Sequence, residues 1–335
     1  MRNDLKNVID EVKETVTLND DDIVLDIGAN DCTMISFYPE NLKRFAIEPA
    51  ENIDWSHVNK NITIVNDYFS EESIKKCNLG GKVKAFTSCA MFYDLDDPNA
   101  FVSTIKKNLH PEGIFCIQLS YLPAMLINLN FYDICNEHLE YYSLDTLNKL
   151  MLRNDLEIFH AKENEVNGGS VRVMITHKSR KMKKSDDYEK LIKKESLMNL
   201  DEKNTYIEFK EKIMNMRNKV VDAINKAGNK GEVFGLGAST KGNMLLQTFG
   251  LTKEEIPYIS ERNPDKVGLR TLGTDIELIS EDDARNRAPK MMLVLPWYFK
   301  DEIVKREYDY LKDGGKLLIP MPYPHIVDID GEIEL

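Results

Sequence analysis

A chain of 335 residues, 42% hydrophobic and 30% charged, has the composition of a globular enzyme with room for two domains, which excludes disordered and fibrous classes. A formal charge of −12 and a pI near 5.1 repel a phosphate backbone, so nucleic acid is not an expected partner. The five cysteines, Cys32, Cys77, Cys89, Cys116 and Cys135, contain no CxxC pair, which fits a reducing, cytoplasmic setting and removes the simplest zinc site, two cysteine pairs at metal-ligand spacing, so no metal is expected.

The opening MRNDLKNVIDEVKETV reads as an amphipathic polar helix without the apolar centre of a signal peptide. No stretch approaches the ~20 apolar residues that would cross a membrane. From residue 23, short apolar runs alternate with helical patterns. IVLDIG, RFAIEP, ITIVND, KAFTS and GIFCIQLS read as buried strands, and strand alternating with helix implies a parallel sheet covered on both faces. LEIFHAKENEVNGGSVRVMITHK reads as a hairpin closing that sheet. From about residue 179 to 230 the chain is highly charged, with apolar residues at spacings of three and four, the pattern of a helical linker. Its basic run, Lys178 to Lys184, reads as solvated rather than as a phosphate grip. EVFGLGASTKGNMLLQTFG then gives strand, glycine turn and helix, and IPYISE, KMMLVLP and GKLLIPMP add strands, so residues 231–335 form a second, smaller Rossmann-like layer after a first domain at 1–178.

VLDIGANDC places Asp26 and Gly28 at the carboxyl end of the first strand, where a doubly wound sheet binds nucleotide-like ligands. The second strand ends in Glu48, a carboxylate placed to accept both ribose hydroxyls. Where dinucleotide enzymes carry GxGxxG, this chain has Gly28, Asn30 and Thr33. With one glycine of three there is little room for a pyrophosphate beside the helix, which favours S-adenosylmethionine (SAM) over a dinucleotide. Asp67, after the third strand, either contacts the adenine amine, with Tyr68 or Phe69 beside the ring, or caps a helix.

YDICNEHLEYYS, residues 132–143, gathers carboxylates, an imidazole, a thiol and three tyrosines shortly after the strand GIFCIQLS. His138 is the natural general base near neutral pH, with Glu137 to orient it. NGGSVRVM pairs a glycine turn with Arg172, a ligand contact or an exposed strand residue. GLGASTKGN follows a strand and opens a helix, so Ser239, Thr240, Lys241, Asn243 and nearby amides can cradle a diphosphate. It lacks the lysine placement of a Walker A loop, which disfavours ATP hydrolysis. Glu261, Arg262 and Asn263, beyond a later strand, either contact hydroxyls or phosphate or tie their own loop together.

Taken in this order, VLDIGANDC, AIEPA, YLPAMLINLNFYDICNEHLEYYSL, NGGSVRV, GLGASTKGNMLLQ, ERNPDKVGLRTLGT and VLPWYF resemble the sugar-nucleotide carbon methyltransferases, which methylate keto-deoxysugars for antibiotics and surface polysaccharides. The resemblance covers essentially the whole chain. It implies a class I SAM-dependent methyltransferase domain, a helical linker and a C-terminal Rossmann-like domain that helps hold a nucleotide-diphosphate sugar. It carries the family's catalytic pair onto Glu137 and His138 and implies that His138 removes the proton next to a sugar ketone; Ser88, at the fourth strand end, is expected to contact the cofactor, and Tyr121, after the fifth strand, the substrate.

Three departures mark this chain. It begins at the cofactor domain where typical members carry an N-terminal zinc domain. Cys135 and Asn136 replace a tyrosine and a histidine, and Ser88, Cys89 and Ala90 stand where Asn-Asn is common. They leave oxygen or nitrogen methylation of a related sugar nucleotide, or a non-catalytic binding homologue, as alternatives. The oligomeric state, a homodimer being one option, is not fixed by the sequence.

Overall fold

The computed structural model describes residues 2–228 and 231–335. Two compact units form, one from Met1–Asn128 with Asn136–Asp201 and the other from Leu129–Cys135 with Glu202–Leu335. In chain order the first unit contains α1 (Arg2–Thr15), β1 (Ile23–Ile27), β2 (Lys43–Ile47), β3 (Ile62–Val65), α2 (Glu71–Cys77), β4 (Val83–Cys89), α3 (Pro98–Asn108), β5 (Leu109–Ser120), α4 (Leu122–Asn128), α5 (Leu144–Arg153), β6 (Leu156–Asn164), β7 (Ser170–His177) and α6 (Asp186–Ser196). Its sheet runs β3-β2-β1-β4-β5-β7-β6. Strands β1 to β5 are parallel, and the β6–β7 hairpin adds two antiparallel ladders at one side.

All five residues of β1 are buried because both faces of the sheet are covered. Alternate side chains divide between two cores: Leu25 and Ile27 join Phe86, Phe115 and Leu147 on one face, while Val24 meets Val8, Ile9 and Val12 of α1 on the other. Helix starts follow the residue chemistry. Ser70 and Ser143 make capping boxes, and Asp97 caps α3 with Pro98 behind it.

The second unit contains α7 (Lys203–Ala227), β8 (Val233–Leu236), α8 (Thr240–Phe249), β9 (Tyr258–Glu261), β10 (Glu277–Ser280), α9 (Glu281–Asn286), β11 (Met291–Val294), α10 (Lys300–Arg306), α11 (Tyr308–Lys312), β12 (Lys316–Ile319), β13 (His325–Asp328) and β14 (Gly331–Glu334). The strand order is β10-β9-β8-β11-β12-β13-β14, the last two antiparallel. Residues 179–230 divide between the units: α6 buries Tyr188 and Leu191 in the first core, and α7 belongs to the second unit.

Candidate active site

The ends of β1 to β5 open onto a cavity of about 820 Å³ in the first unit, at the sheet edge where doubly wound folds hold nucleotides. Asp26, Gly28 and Asn30 line it from β1, Glu48 from β2, Tyr68 and Phe69 from beyond β3, and Gln118 from β5. Gly28 has φ +68°, and a Cβ there would lie 2.9 Å from Met91 Cγ, so the turn needs glycine for both conformation and space. Glu48 fixes the turn by accepting the amides of Asn30 at 2.7 Å and Ala50 at 2.9 Å. Each carboxylate oxygen keeps lone pairs for a ribose hydroxyl.

Asp26 is fully buried. Its Oδ1 accepts the Thr87 hydroxyl at 2.7 Å, while Oδ2 is buried without a hydrogen-bond partner. Burial, opposed by that hydrogen bond and reinforced by the nearby Glu48 charge, pushes the carboxyl up to about 7. An orphaned carboxylate oxygen in an acid-lined cavity suits a ligand that carries positive charge, and SAM does.

Two of the cofactor residues expected from sequence sit elsewhere. Asp67 is absent from the cavity wall: Lys76 pairs with it at 2.6 Å and, with the Tyr68 amide, holds its carboxyl below the usual range. The aromatic residues that follow it line the cavity instead, Tyr68 being 76% exposed. Ser88 is buried within β4 with its hydroxyl unpaired, and the next residues, Cys89 and Ala90, reach the cavity.

Glu137 is exposed and His138 half-buried. The His138 ring packs on Tyr93, centroids 4.3 Å apart, and the amides of Leu139 and Glu140 both donate to the Tyr93 carbonyl. The neighbouring Asp94 lines the cavity. Burial raises the Asp94 carboxyl, with His138 opposing and Glu137 adding to that rise, so the three groups share one electrostatic neighbourhood. Sequence reasoning missed Asp94, although a carboxylate two residues after Phe92, itself just beyond a strand end, was a usable signal.

Tyr121 and Arg172 have structural surroundings rather than the substrate contacts expected of them. Tyr121 is fully buried and donates to Glu195 at 2.8 Å, which also accepts the first amides of α5. Arg172 is 2% exposed. Its guanidinium donates to Gln118 and Asn7 and pairs with Asp4 and Glu11 of α1, because the β7 position it occupies faces that helix. In the NGGS turn, Gly169 is needed for more than flexibility: its φ is +128°, and a Cβ would lie 2.5 Å from Ala124 of α4.

In the second unit Ser239 caps α8 by accepting the Gly242 amide, Thr240 opens the helix, and the Asn243 Oδ1 is buried without a partner. The Lys241 ammonium stands 4.5 Å from the Tyr132 ring centroid, 5.7 Å from that of Tyr298 and 3.9 Å from Asp133. Burial lowers its pKa and Asp133 opposes the shift. These aromatic partners were not foreseen. Glu261 repeats the role of Glu48, accepting the amides of Ala238 and Asn263 at 2.8 Å each. Asn263 caps the turn that follows, and Arg262 is exposed.

Among the described residues, no helix is long and apolar enough to cross a membrane, and no cluster of His, Cys, Asp or Glu could hold a metal. Residues 1–161 match the family model of a methyltransferase domain, and residues 165–322 match that of a C-methyltransferase C-terminal domain. C-methyltransferase NovU of Streptomyces niveus is 25% identical over 332 residues, 98% of this chain and 79% of that protein. Solved structures resemble about half the chain: YcgJ of Bacillus subtilis (TM-score 0.41, 11% identity, 50% of this chain and 96% of that one) and a SAM-dependent methyltransferase of Clostridium acetobutylicum (0.41, 11%, 53% and 92%). With a methyltransferase-domain model on its first part, a C-methyltransferase C-terminal-domain model on its second and a relative spanning nearly all of it, the chain is a SAM-dependent methyltransferase.

Proposed function

We propose that the chain methylates a carbon of a nucleotide-linked keto-deoxysugar, with His138 as the base. The observation that carries this reading is the imidazole resting on Tyr93 beside Asp94, a residue of the cavity wall. A proton next to a ketone is acidic only when the developing oxyanion is stabilised. His138 would take that proton, with the Glu137 and Asp94 side chains in the same electrostatic neighbourhood. Asp26, Gly28, Asn30, Glu48 and Phe69 would hold SAM, which supplies an electrophilic methyl carbon for the resulting enolate. In the second unit, Lys241, Ser239, Thr240 and Asn243 would take the diphosphate, and Glu261, Arg262 and Asn263 the remaining hydroxyl and phosphate contacts. Lys241 suits this role because Asp133 and the Tyr132 ring hold its ammonium in place.

A second reading, oxygen or nitrogen methylation of a related sugar nucleotide, is favoured by Cys135 and Asn136, which stand where related enzymes carry a tyrosine and a histidine. In that case His138 would deprotonate a hydroxyl or amine. The test is incubation with methyl-labelled SAM and a panel of nucleotide sugars, read by mass spectrometry and NMR of the products. A new carbon–carbon bond next to a ketone is the expected result; label only on oxygen or nitrogen would replace the first reading with the second.

A further inference from the structure

We propose that Arg2 and Asp4, on the first turn of α1, bind the zwitterionic amino-acid end of SAM: Arg2 its carboxylate and Asp4 its ammonium. The inference rests on the reading that the first-unit cavity holds SAM. Among the described residues lining that cavity are five carboxylates, those of Asp4, Asp26, Asp31, Glu48 and Asp94, and one cationic side chain, Arg2. SAM carries two positive centres, the sulfonium and the ammonium, and a single carboxylate. The positive centres suit the acidic walls. The carboxylate has one cationic partner on offer, and a guanidinium pairs with a carboxylate through two parallel hydrogen bonds.

The order of the strands fixes the direction in which the cofactor lies. Glu48 and Tyr68 stand on the β2–β3 side of β1. Asp4 is tied to the opposite side: its Oδ2 accepts from Gln118 of β5 at 2.9 Å and its Oδ1 from Arg172 of β7 at 3.2 Å. A cofactor with its ribose on Glu48 and its sulfur over the β1 turn therefore extends its amino-acid end toward Arg2 and Asp4. Each Asp4 oxygen accepts one bond from these two residues and keeps further lone pairs for an ammonium. Arg2 has no ion-pair partner among the described residues; its guanidinium carbon lies 5.5 Å from the Phe37 ring centroid. Arg172 thereby becomes a positioning residue, acting on the cofactor through Asp4 and Gln118.

Calorimetry with S-adenosylhomocysteine (SAH) and with 5′-methylthioadenosine, which keeps the thioether nucleoside but lacks the amino-acid end, tests this without a methyl acceptor. Arg2→Ala should weaken SAH binding by about 10-fold or more while 5′-methylthioadenosine binding stays within about twofold of wild type. Arg2→Lys should recover part of the loss, since it restores the charge without the planar fork. Unchanged SAH affinity in Arg2→Ala, or equal weakening of both ligands, would overturn the inference and leave the cofactor reading standing. Failure of the wild-type protein to bind either nucleoside would overturn both. Because Arg2 is exposed and outside the core, its substitution does not threaten folding.

Discussion

His138 and Asp26 govern different observables. Replacing His138 with alanine should lower turnover by ~10² to 10⁴ while SAH affinity, measured by calorimetry, stays near wild type; loss of both would mark the ring as structural. Asp26 predicts a pH effect on stability. Its carboxyl is raised from 3.8 to about 7 in the fold, so the native state holds that proton more tightly than the unfolded chain does. The associated stability is fully present below about pH 4 and is lost as pH rises through about 7. Asp26→Asn keeps an oxygen to accept the Thr87 hydroxyl and removes the charge. The ligand-free variant should melt higher than wild type near pH 8, and the gap should close toward pH 4; a gap independent of pH would contradict the assignment. The positions of Asp26, Gly28 and Glu48 were legible in the sequence because strand ends follow directly from apolar runs. The surroundings of Asp94, Arg2 and Arg172 were not, since each depends on a partner far along the chain: His138 for Asp94, the shared cavity for Arg2, Asp4 and Glu11 for Arg172.

Helix α1 does more than cover the sheet, and the β6–β7 hairpin more than extend it. Arg172 of β7 is the centre of a buried polar network with Gln118 of β5 and with Asn7, Asp4 and Glu11 of α1. Removing one partner of a buried ion pair leaves uncompensated charge, so Arg172→Leu should cost about 3–5 kcal/mol in chemical denaturation. Gly169→Ala should also lower the melting temperature, because a methyl there meets Ala124 at 2.5 Å on a backbone of φ +128°, whereas Gly81→Ala, with ordinary φ and its nearest contact at 3.4 Å, should change little. The long buried strands β1, β4 and β5 and the hairpin were readable from apolar runs. Strand β10 carries only two apolar residues in ELIS, and β14, GEIE, is exposed throughout, so neither left a periodic signal; ladder pairing with β9 and β13 defines them.

Over the whole molecule, the same device occurs twice. Each unit has five parallel strands in the same relative order, β3-β2-β1-β4-β5 and β10-β9-β8-β11-β12, and each has at the carboxyl end of its second strand a glutamate that accepts two amides of the adjoining turns, Glu48 just after β2 and Glu261 as the last residue of β9. The sequence announced this repetition through its two strand–glycine–helix passages. It did not announce that Leu129–Cys135 packs with the second unit, since that segment lies between elements of the first. If the two glutamates serve separate ligands, Glu48→Gln should weaken SAH binding by about 10-fold and leave thymidine diphosphate binding unchanged, and Glu261→Gln should do the reverse; calorimetry of both ligands on both variants would decide it. The central claim, that His138 takes a proton from carbon, is tested most directly by NMR of a nucleotide-linked keto-deoxysugar incubated with the protein in deuterated water. The account predicts deuterium at the carbon next to the ketone with the wild-type protein and none with His138→Ala. Methyl transfer to that sugar without any such exchange, or undiminished exchange in the variant, would contradict it.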